Sequence, residues 1–429
     1  MKLSIHPDKS TWRALLQRPV FETASLEATV SGILQAVQRE GDAAVKRYTA
    51  QFDKVEIADL QVTEAEIEEA VASLDVDLKN AIQTAKANIE KFHRQQIQPV
   101  EVVETLPGVR CWRKSVGIEK VGLYIPGGTA PLFSTVLMLG LPAKLAGCQE
   151  IVLCSPPNRE GKLHPAILYT ANLVGVTKIF KAGGVQAVGA MAYGTESIPQ
   201  VYKIFGPGNQ YVTAAKQLVN KEGIAIDMPA GPSEVLVCAD ASANPAFIAA
   251  DLLSQAEHGV DSQVVLVAFD ENFVTKVNAE IEAQLSNLPR KEIAAKALEN
   301  SLAIVVKNEA EALDLINEYA PEHLILSLER AENFAASIIN AGSVFIGNYT
   351  PESVGDYASG TNHTLPTNGF AKAYSGVSLD SFVKKITFQQ LTKEGLQRVG
   401  PAVEQMATEE ELDAHKLAVS LRLRDIKRK

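Results

Sequence analysis

Glu322 and His323 stand side by side in Ala320-Pro321-Glu322-His323-Leu324, immediately before an apolar run that reads as a strand. A carboxylate beside an imidazole, which titrates near neutrality, is equipped to move protons, and strand ends are where α/β sheets build their sites. Gln255 and His258 are three apart near the end of a helix that starts around Pro245, so both project from one face at a spacing a metal can use. His258 also precedes Gly259, and a histidine there often does no more than meet the helix dipole. On this pair alone that structural reading prevails. A long polar loop, Ser353-Val354-Gly355-Asp356-Tyr357-Ala358-Ser359-Gly360-Thr361-Asn362-His363, follows another strand and adds Asp356 and His363. Glu410 and His415 lie five apart near the C-terminal end, angularly offset on a straight helix, and amid Glu409 and Glu411 they read as a solvated face.

Three glycine-rich turns, each between a strand and a helix, offer a different chemistry: Pro126-Gly127-Gly128, Ala182-Gly183-Gly184 and Gly206-Pro207-Gly208-Asn209. Free N–H groups and the positive dipole end of a helix are what a pyrophosphate needs. None completes G-x-G-x-x-G, and each alone is a weak signal, since glycine at such turns is commonly plain turn chemistry. Three on one side of one sheet raise the odds of a dinucleotide across that edge.

The elements that must position these residues alternate. Apolar runs at 121–125, 151–154, 178–181 and 203–205, separated by helical stretches such as 133–146 and 210–220, carry the βαβ signature of a parallel sheet. A second series at 234–238, 264–269, 302–306, 324–328 and 344–346 follows the Ala230-Gly231-Pro232-Ser233 loop, so two sheets are expected with that loop at the seam. Upstream, the capping pattern Thr63-x-x-Glu66 opens what reads as one long helix carrying Ile67, Val71, Leu74, Leu78, Ile82, Ile89 and Phe92. Beyond about Gly376 the pattern reads as wholly helical, with Phe382, Ile386, Phe388, Leu391, Leu412, Leu417 and Leu421 apolar. Such a tail buries little alone and is expected to pack on another surface, a second subunit being the natural choice.

At 429 residues the chain is longer than one core supports, and 46% hydrophobic against 21% charged residues is ordinary for a globular protein. A formal charge of −10 repels phosphate backbones, and the only basic run, 422–429, reads as completing a helix dipole, so no nucleic-acid partner is expected. No apolar window reaches the length of a membrane span, the amino terminus lacks a secretory core, and a cytoplasmic location is expected. Cys111, Cys148, Cys154 and Cys238 form no CxxC pair and read as small buried residues of a reducing compartment.

Taken together, Ile226-Asp227-Met228-Pro229-Ala230-Gly231-Pro232-Ser233-Glu234, Gln255-Ala256-Glu257-His258-Gly259, Pro321-Glu322-His323-Leu324 and Ser353-Val354-Gly355-Asp356-Tyr357 resemble, in order, segments of the histidinol dehydrogenase family. The resemblance implies an α/β fold with two Rossmann-like parallel-sheet domains, a helical N-terminal segment (1–22) and a helical tail (377–429) exchanged in a homodimer. The first α/β domain would take 23–123 and 235–376, and the NAD-binding domain 124–234. Gln255, His258, Asp356 and His415 match zinc ligands. Ser233, His323, His363 and Glu410 match substrate-contacting positions, shared with the four ligands; Tyr124, Gln186 and Asn209 match NAD-contacting ones. Glu322 and His323 match the catalytic pair.

The implied reaction is the four-electron oxidation of L-histidinol to L-histidine through L-histidinaldehyde, the last step of histidine biosynthesis, with one zinc per subunit orienting the substrate and two NAD used per turnover. A two-imidazole, two-oxygen set suits zinc, although manganese or cobalt stay open. The rivals are an aldehyde dehydrogenase with a reactive thiolate, disfavoured because Cys154 and Cys238 end apolar strands; a zinc hydrolase, although no HExxH is present; and a zinc- or dinucleotide-sensing binding protein, which needs no Glu322–His323 chemistry.

Overall fold

A computed structural model describes residues 1–19, 23–127, 130–229 and 231–428. Its strands are β1 (Lys2–Ile5), β2 (Val102–Leu106), β3 (Val109–Gly117), β4 (Lys120–Tyr124), β5 (Glu150–Ser155), β6 (Lys178–Lys181), β7 (Lys203–Phe205), β8 (Ala225–Ile226), β9 (Glu234–Ala239), β10 (Gln263–Ala268), β11 (Leu302–Val305), β12 (His323–Ser327), β13 (Ser343–Ile346) and β14 (Val383–Leu391). The chain divides into two compact units, Met1–Arg94 with Ile118–Phe382, and Gln95–Gly117 with Val383–Lys429.

The first unit holds both expected parallel sheets, ordered β1-β11-β10-β9-β12-β13 and β6-β5-β4-β7-β8. Strands β9 and β10 are buried at every position, which is why they read as unbroken apolar runs rather than alternating ones: helices cover both faces. Val235 and Val237 pack on one side with Ile248, Leu252 and Val277; Leu236 and Cys238 pack on the other with Trp12, Leu315 and Tyr319. The smaller sheet is sandwiched likewise. The helix Phe133–Ala146 is buried on all sides from Ser134 to Ala143, against Leu123, Ile151 and Leu153, and its interior Pro142 has no N–H for the carbonyl of Met138, four residues back.

Several expectations need correction. The N-terminal segment is not simply helical: Lys2–Ile5 pairs in parallel with Leu302–Val305 as the edge strand of the larger sheet. The single long helix is two, Glu64–Ser73 and Val76–Arg94, because Leu74 turns to an extended conformation (φ −75°, ψ 141°) and Asp75 accepts from the Asp77 N–H to start afresh. Helices between Thr23 and Arg94 share core clusters with the five-stranded sheet, Leu34, Val37 and Val45 with Val152 and Met191, and Ile82 and Ile89 with Leu137.

The tail is not wholly helical either. In the second unit, Val383–Leu391 pairs antiparallel with Val109–Gly117 over nine residues, and β2 completes a three-stranded sheet. Ile386 and Phe388 sit two apart, the strand period, and Phe388 stacks on Trp112 at 5.4 Å between ring centroids. The α-helices Lys393–Glu409 and Asp413–Arg428 follow that strand; a Cβ on Gly400 would meet the Leu423 side chain at 2.9 Å, so these two helices pack closely. Met406, Leu412, Leu417 and Leu421 stay exposed.

Candidate active site

Three connections bring side chains to the amino ends of β9 and β12. Ser233 precedes β9, Glu322 and His323 open β12, and the helix Pro245–Ala256 delivers Gln255 in its last turn. The polar loop expected at 353–363 in fact begins with a helix, Glu352–Tyr357, which puts Glu352 and Asp356 four apart and so on one face. Ahead of Glu322 the chain passes Ala320 in the left-handed region (φ 53°), a conformation an alanine adopts at a cost when its surroundings demand it. The amides of Gly342 and Ser343 then donate to the carbonyls of Pro321 and Glu322, each at 2.9 Å, fixing the turn against β13.

His323 is buried and surrounded by acid. Its Nδ1 lies 3.6 Å from Glu322 Oε2 and 3.9 Å from Glu352 Oε1, and its Nε2 3.5 Å from Asp356 Oδ1. Burial favours the neutral ring, but the Glu352, Glu322 and Asp356 carboxylates outweigh it and hold the imidazole well above its usual range. Burial raises Glu352, whereas Asp356 is held low because its bond to His323 and the charges of His323, His363 and His258 overcome its own desolvation. His323 Nδ1 is 3.3 Å from the carbonyl of Glu234. A carbonyl only accepts, so Nδ1 carries a hydrogen toward it, and Nε2, which faces Asp356 Oδ1, is the nitrogen that gives up its proton when the ring is neutral.

His363 is arranged by the same logic. Its Nδ1 donates to the backbone carbonyl of Asp356 at 2.8 Å and its Nε2 meets the Thr135 hydroxyl at 3.0 Å, while burial lowers its pKa. Beside it, Asn362 donates to the carbonyl of Met138 at 2.6 Å, the acceptor that Pro142 leaves free. These two bonds attach the loop after β13 to a helix of the other sheet.

Gln255 is fully buried, and neither its Oε1 nor its Nε2 has a hydrogen-bond partner among the described residues. An amide left so is costly unless something else binds it, and an amide oxygen with the Asp356 carboxylate and the nearby His258 imidazole is a donor set that fits zinc. His258 itself is exposed, beyond the helix end. Ligand atoms of His323, Glu352 and Asp356 also lie within 4.8 Å of one another, a grouping able to hold a cation that shares only Asp356 with the expected four. Glu410 and His415 are exposed residues of the second unit, at the end of one helix and in the first turn of the next.

On the five-stranded sheet, the expected dinucleotide positions gather at the carboxyl edge. Tyr124 ends β4, and its hydroxyl accepts from the Gly184 N–H at 3.2 Å; burial pushes its pKa up to about 12. Gln186 is buried in the helix Gly184–Tyr193 with its Oε1 unpartnered among the described residues, and Asn209 caps the helix Gln210–Lys221 by accepting from the amides of Tyr211 and Val212. Gly206 has φ 128°, and a Cβ there would lie 2.0 Å from the Tyr124 carbonyl, so only glycine lets β4 and the turn approach. Its amide is held by Asp227, which pairs with the buried Lys216. Gly128 and Ala230, named with these loops, lie outside the described residues. A cleft of about 230 Å³ runs from Gly208, Asn209 and Thr213 to Gly231 and Pro232.

Glu352 escaped the sequence reading, although its spacing from Asp356 was a usable signal. Burial pushes the Cys148 thiol up to about 12 and also raises Cys154 and Cys238, which argues against a reactive thiolate at any of these three.

The family model for histidinol dehydrogenase matches residues 16–423. A histidinol dehydrogenase of Bacteroides thetaiotaomicron is 64% identical over 427 residues, covering 100% of both chains. The crystal structure of histidinol dehydrogenase from Elizabethkingia anophelis superposes with a TM-score of 0.97 at 56% identity, over 100% of this chain and 99% of that one. An acetylating aldehyde dehydrogenase from Geobacillus thermoglucosidasius matches at TM-score 0.51 and 16% identity, over 89% of this chain and 94% of that one, which is a likeness of fold alone. An acid–base pair at the mouth of β12, turns suited to a dinucleotide and relatives alike from end to end agree: the chain belongs to the histidinol dehydrogenase family, the oxidoreductases of the last step of histidine biosynthesis.

Proposed function

We propose that the chain oxidises L-histidinol to L-histidine through L-histidinaldehyde, with Glu322 and His323 moving the protons. In the first step His323 Nε2 takes the hydroxyl proton of the alcohol as the carbon gives a hydride to NAD, leaving aldehyde and NADH. Glu322 then removes a proton from water as the oxygen adds to the aldehyde carbon. In the second step His323 takes a proton from the hydrate as its carbon gives a hydride to a second NAD. The sum is one alcohol, one water and two NAD giving one carboxylate, two NADH and three protons. The observation that carries this reading is the His323 ring itself, its Nδ1 turned to a carbonyl and its Nε2 facing Asp356.

Gln255, His258, Asp356 and the partner subunit's His415 would hold the zinc. Bound there, the ion would orient the substrate's amine and imidazole and offset the carboxylate field around His323. Ser233, His363 and Glu410 contact the substrate, and Tyr124, Gln186 and Asn209 contact NAD on the 124–234 domain. The exposed apolar residues of the tail support a homodimer in which Glu410 and His415 reach the other chain's site. Among the described residues no helix is long and apolar enough to cross a membrane, and we place the enzyme in the cytoplasm.

The test is stoichiometric. Histidinol added to the zinc-loaded protein with excess NAD should yield two NADH per histidine formed. No NADH, or one NADH per aldehyde released, overturns the reading.

A further inference from the structure

Glu234 opens β9 between Ser233 and the core, and each of its polar groups is engaged. Its N–H donates to Glu322 Oε2 at 2.9 Å, and its carbonyl accepts from His323 Nδ1 at 3.3 Å. One main-chain unit thus holds both members of the acid–base pair: it fixes one carboxylate oxygen of Glu322 and sets the tautomer of His323. The Glu234 side chain, only 2% exposed, is gripped from the far side by Arg18, whose Nε pairs with Oε2 and whose Nη2 donates to Oε1 at 2.9 Å; the Tyr319 hydroxyl donates to Oε2 at 3.2 Å. Arg18 Nη2 also donates to the carbonyl of Tyr319 at 2.8 Å, and the guanidinium stacks 4.0 Å from that ring's centroid. Tyr319 ends the helix that leads through Ala320 and Pro321 to Glu322. The guanidinium therefore clamps the two strands of chain that carry the pair, in the two-pronged geometry that fixes direction as well as distance.

Resting on the reaction assigned above, we propose that Arg18 and Glu234 are positioning residues for it: the buried ion pair holds the Glu234 main chain so that Glu322 keeps one oxygen free for water and His323 keeps Nε2 toward the substrate. Neither residue touches reacting atoms. A buried ion pair is weak evidence of stability, since burial of the two charges offsets much of their attraction, and a role in geometry explains better why one stands here.

Arg18→Met alone strands a buried carboxylate, so the informative variant is Arg18→Met with Glu234→Gln, which removes both charges and keeps the shape. A positioning pair predicts that this double variant melts within a few degrees of the wild type and binds zinc fully, yet loses about 10- to 100-fold in kcat, the scale of a displacement of about 1 Å, with KM for histidinol and NAD within about threefold. Arg18→Lys, which never leaves Glu234 unpaired but lacks the fork, should lose kcat by a smaller factor at unchanged KM. In a His323→Asn background the double variant should cost clearly less than in wild type, because one of the two groups it positions is gone. Restored melting with kcat within about twofold of wild type, or an undiminished loss in the His323→Asn background, would overturn the proposal. Wild-type protein that makes no NADH from histidinol would instead overturn the reaction on which it rests.

Discussion

Gln255 offers a sharp test, because its two possible roles predict opposite signs. Its side chain is fully buried with both amide atoms unpaired among the described residues. A buried polar group without a partner costs about 1–3 kcal/mol. Methionine has the same length and unbranched shape and no strong polar atom, so Gln255→Met should stabilise chelator-treated protein by about 1–3 kcal/mol, seen as a higher melting temperature by calorimetry. Zinc works in the opposite direction. An ion at about 100 times its dissociation constant adds about 2.7 kcal/mol to a native state that binds it, and the variant, lacking the amide oxygen, should gain only part of this and should hold less zinc by elemental analysis. The expected pattern is thus a variant that melts above wild type without metal and gains less from it. If the metal-free variant melts below wild type, the amide is satisfied within the fold and the argument from orphaned atoms fails; full zinc content in the variant would remove Gln255 from the ligand set.

Four further outcomes are expected. Glu322→Gln should slow steady-state turnover about 10²- to 10⁴-fold while sparing the first NADH burst in rapid mixing; equal damage to both would contradict its role in hydration. Cys111→Ser, Cys148→Ser, Cys154→Ser and Cys238→Ser should each keep most activity, and a folded variant without turnover, checked by circular dichroism, would restore the thiolate rival. Asp251, half-buried in the helix that carries Gln255, is raised by desolvation from 3.8 to about 7; the native state then keeps a proton that the unfolded chain has lost, so stability falls as pH rises through that window, by at most about 4 kcal/mol. Asp251→Asn should abolish this slope and melt above wild type at pH 8 but not at pH 4; a variant less stable at pH 8 would show a paired carboxylate instead. Finally, His258→Asn and His415→Asn should each be nearly inactive, and co-refolding them in equal amounts should restore about one quarter of the sites if the dimer is two-fold and shared; no recovery with mixed dimers confirmed by mass spectrometry would place His415 in its own chain's site or outside any.

How far the sequence reached depended on the range of the interaction. The helix Phe133–Ala146 and strands Lys178–Lys181 and Lys203–Phe205 were read to the residue because glycine and proline mark their ends and apolar runs fill them. Residues 382–391 misled because apolar positions at 382, 386, 388 and 391 suit either period, and the partner strand that decides the matter lies over 250 residues away. The Pro107-Gly108 turn between β2 and β3 was a hairpin signal that went unused. At the site, motif resemblance named Gln255, Glu322, His323 and Asp356, and the fold brings the last three together. Arg18 and Glu234, 216 positions apart, had no local pattern to betray them; only the folded chain shows that they meet.

Pro142 is, on local grounds, a flaw: it interrupts the ladder of a helix that is otherwise well made. Yet the carbonyl it leaves idle is the one that Asn362 fastens to, next to His363. The defect in one element is thus the anchorage of another, and it works only while it goes unrepaired. Replacing the proline with a better helix former would hand that carbonyl back to the helix and set a new amide in competition with Asn362. At this position a more perfect helix and a firmly moored site loop are rival claims on a single oxygen atom, so a search for thermal stability alone would tend to loosen the loop.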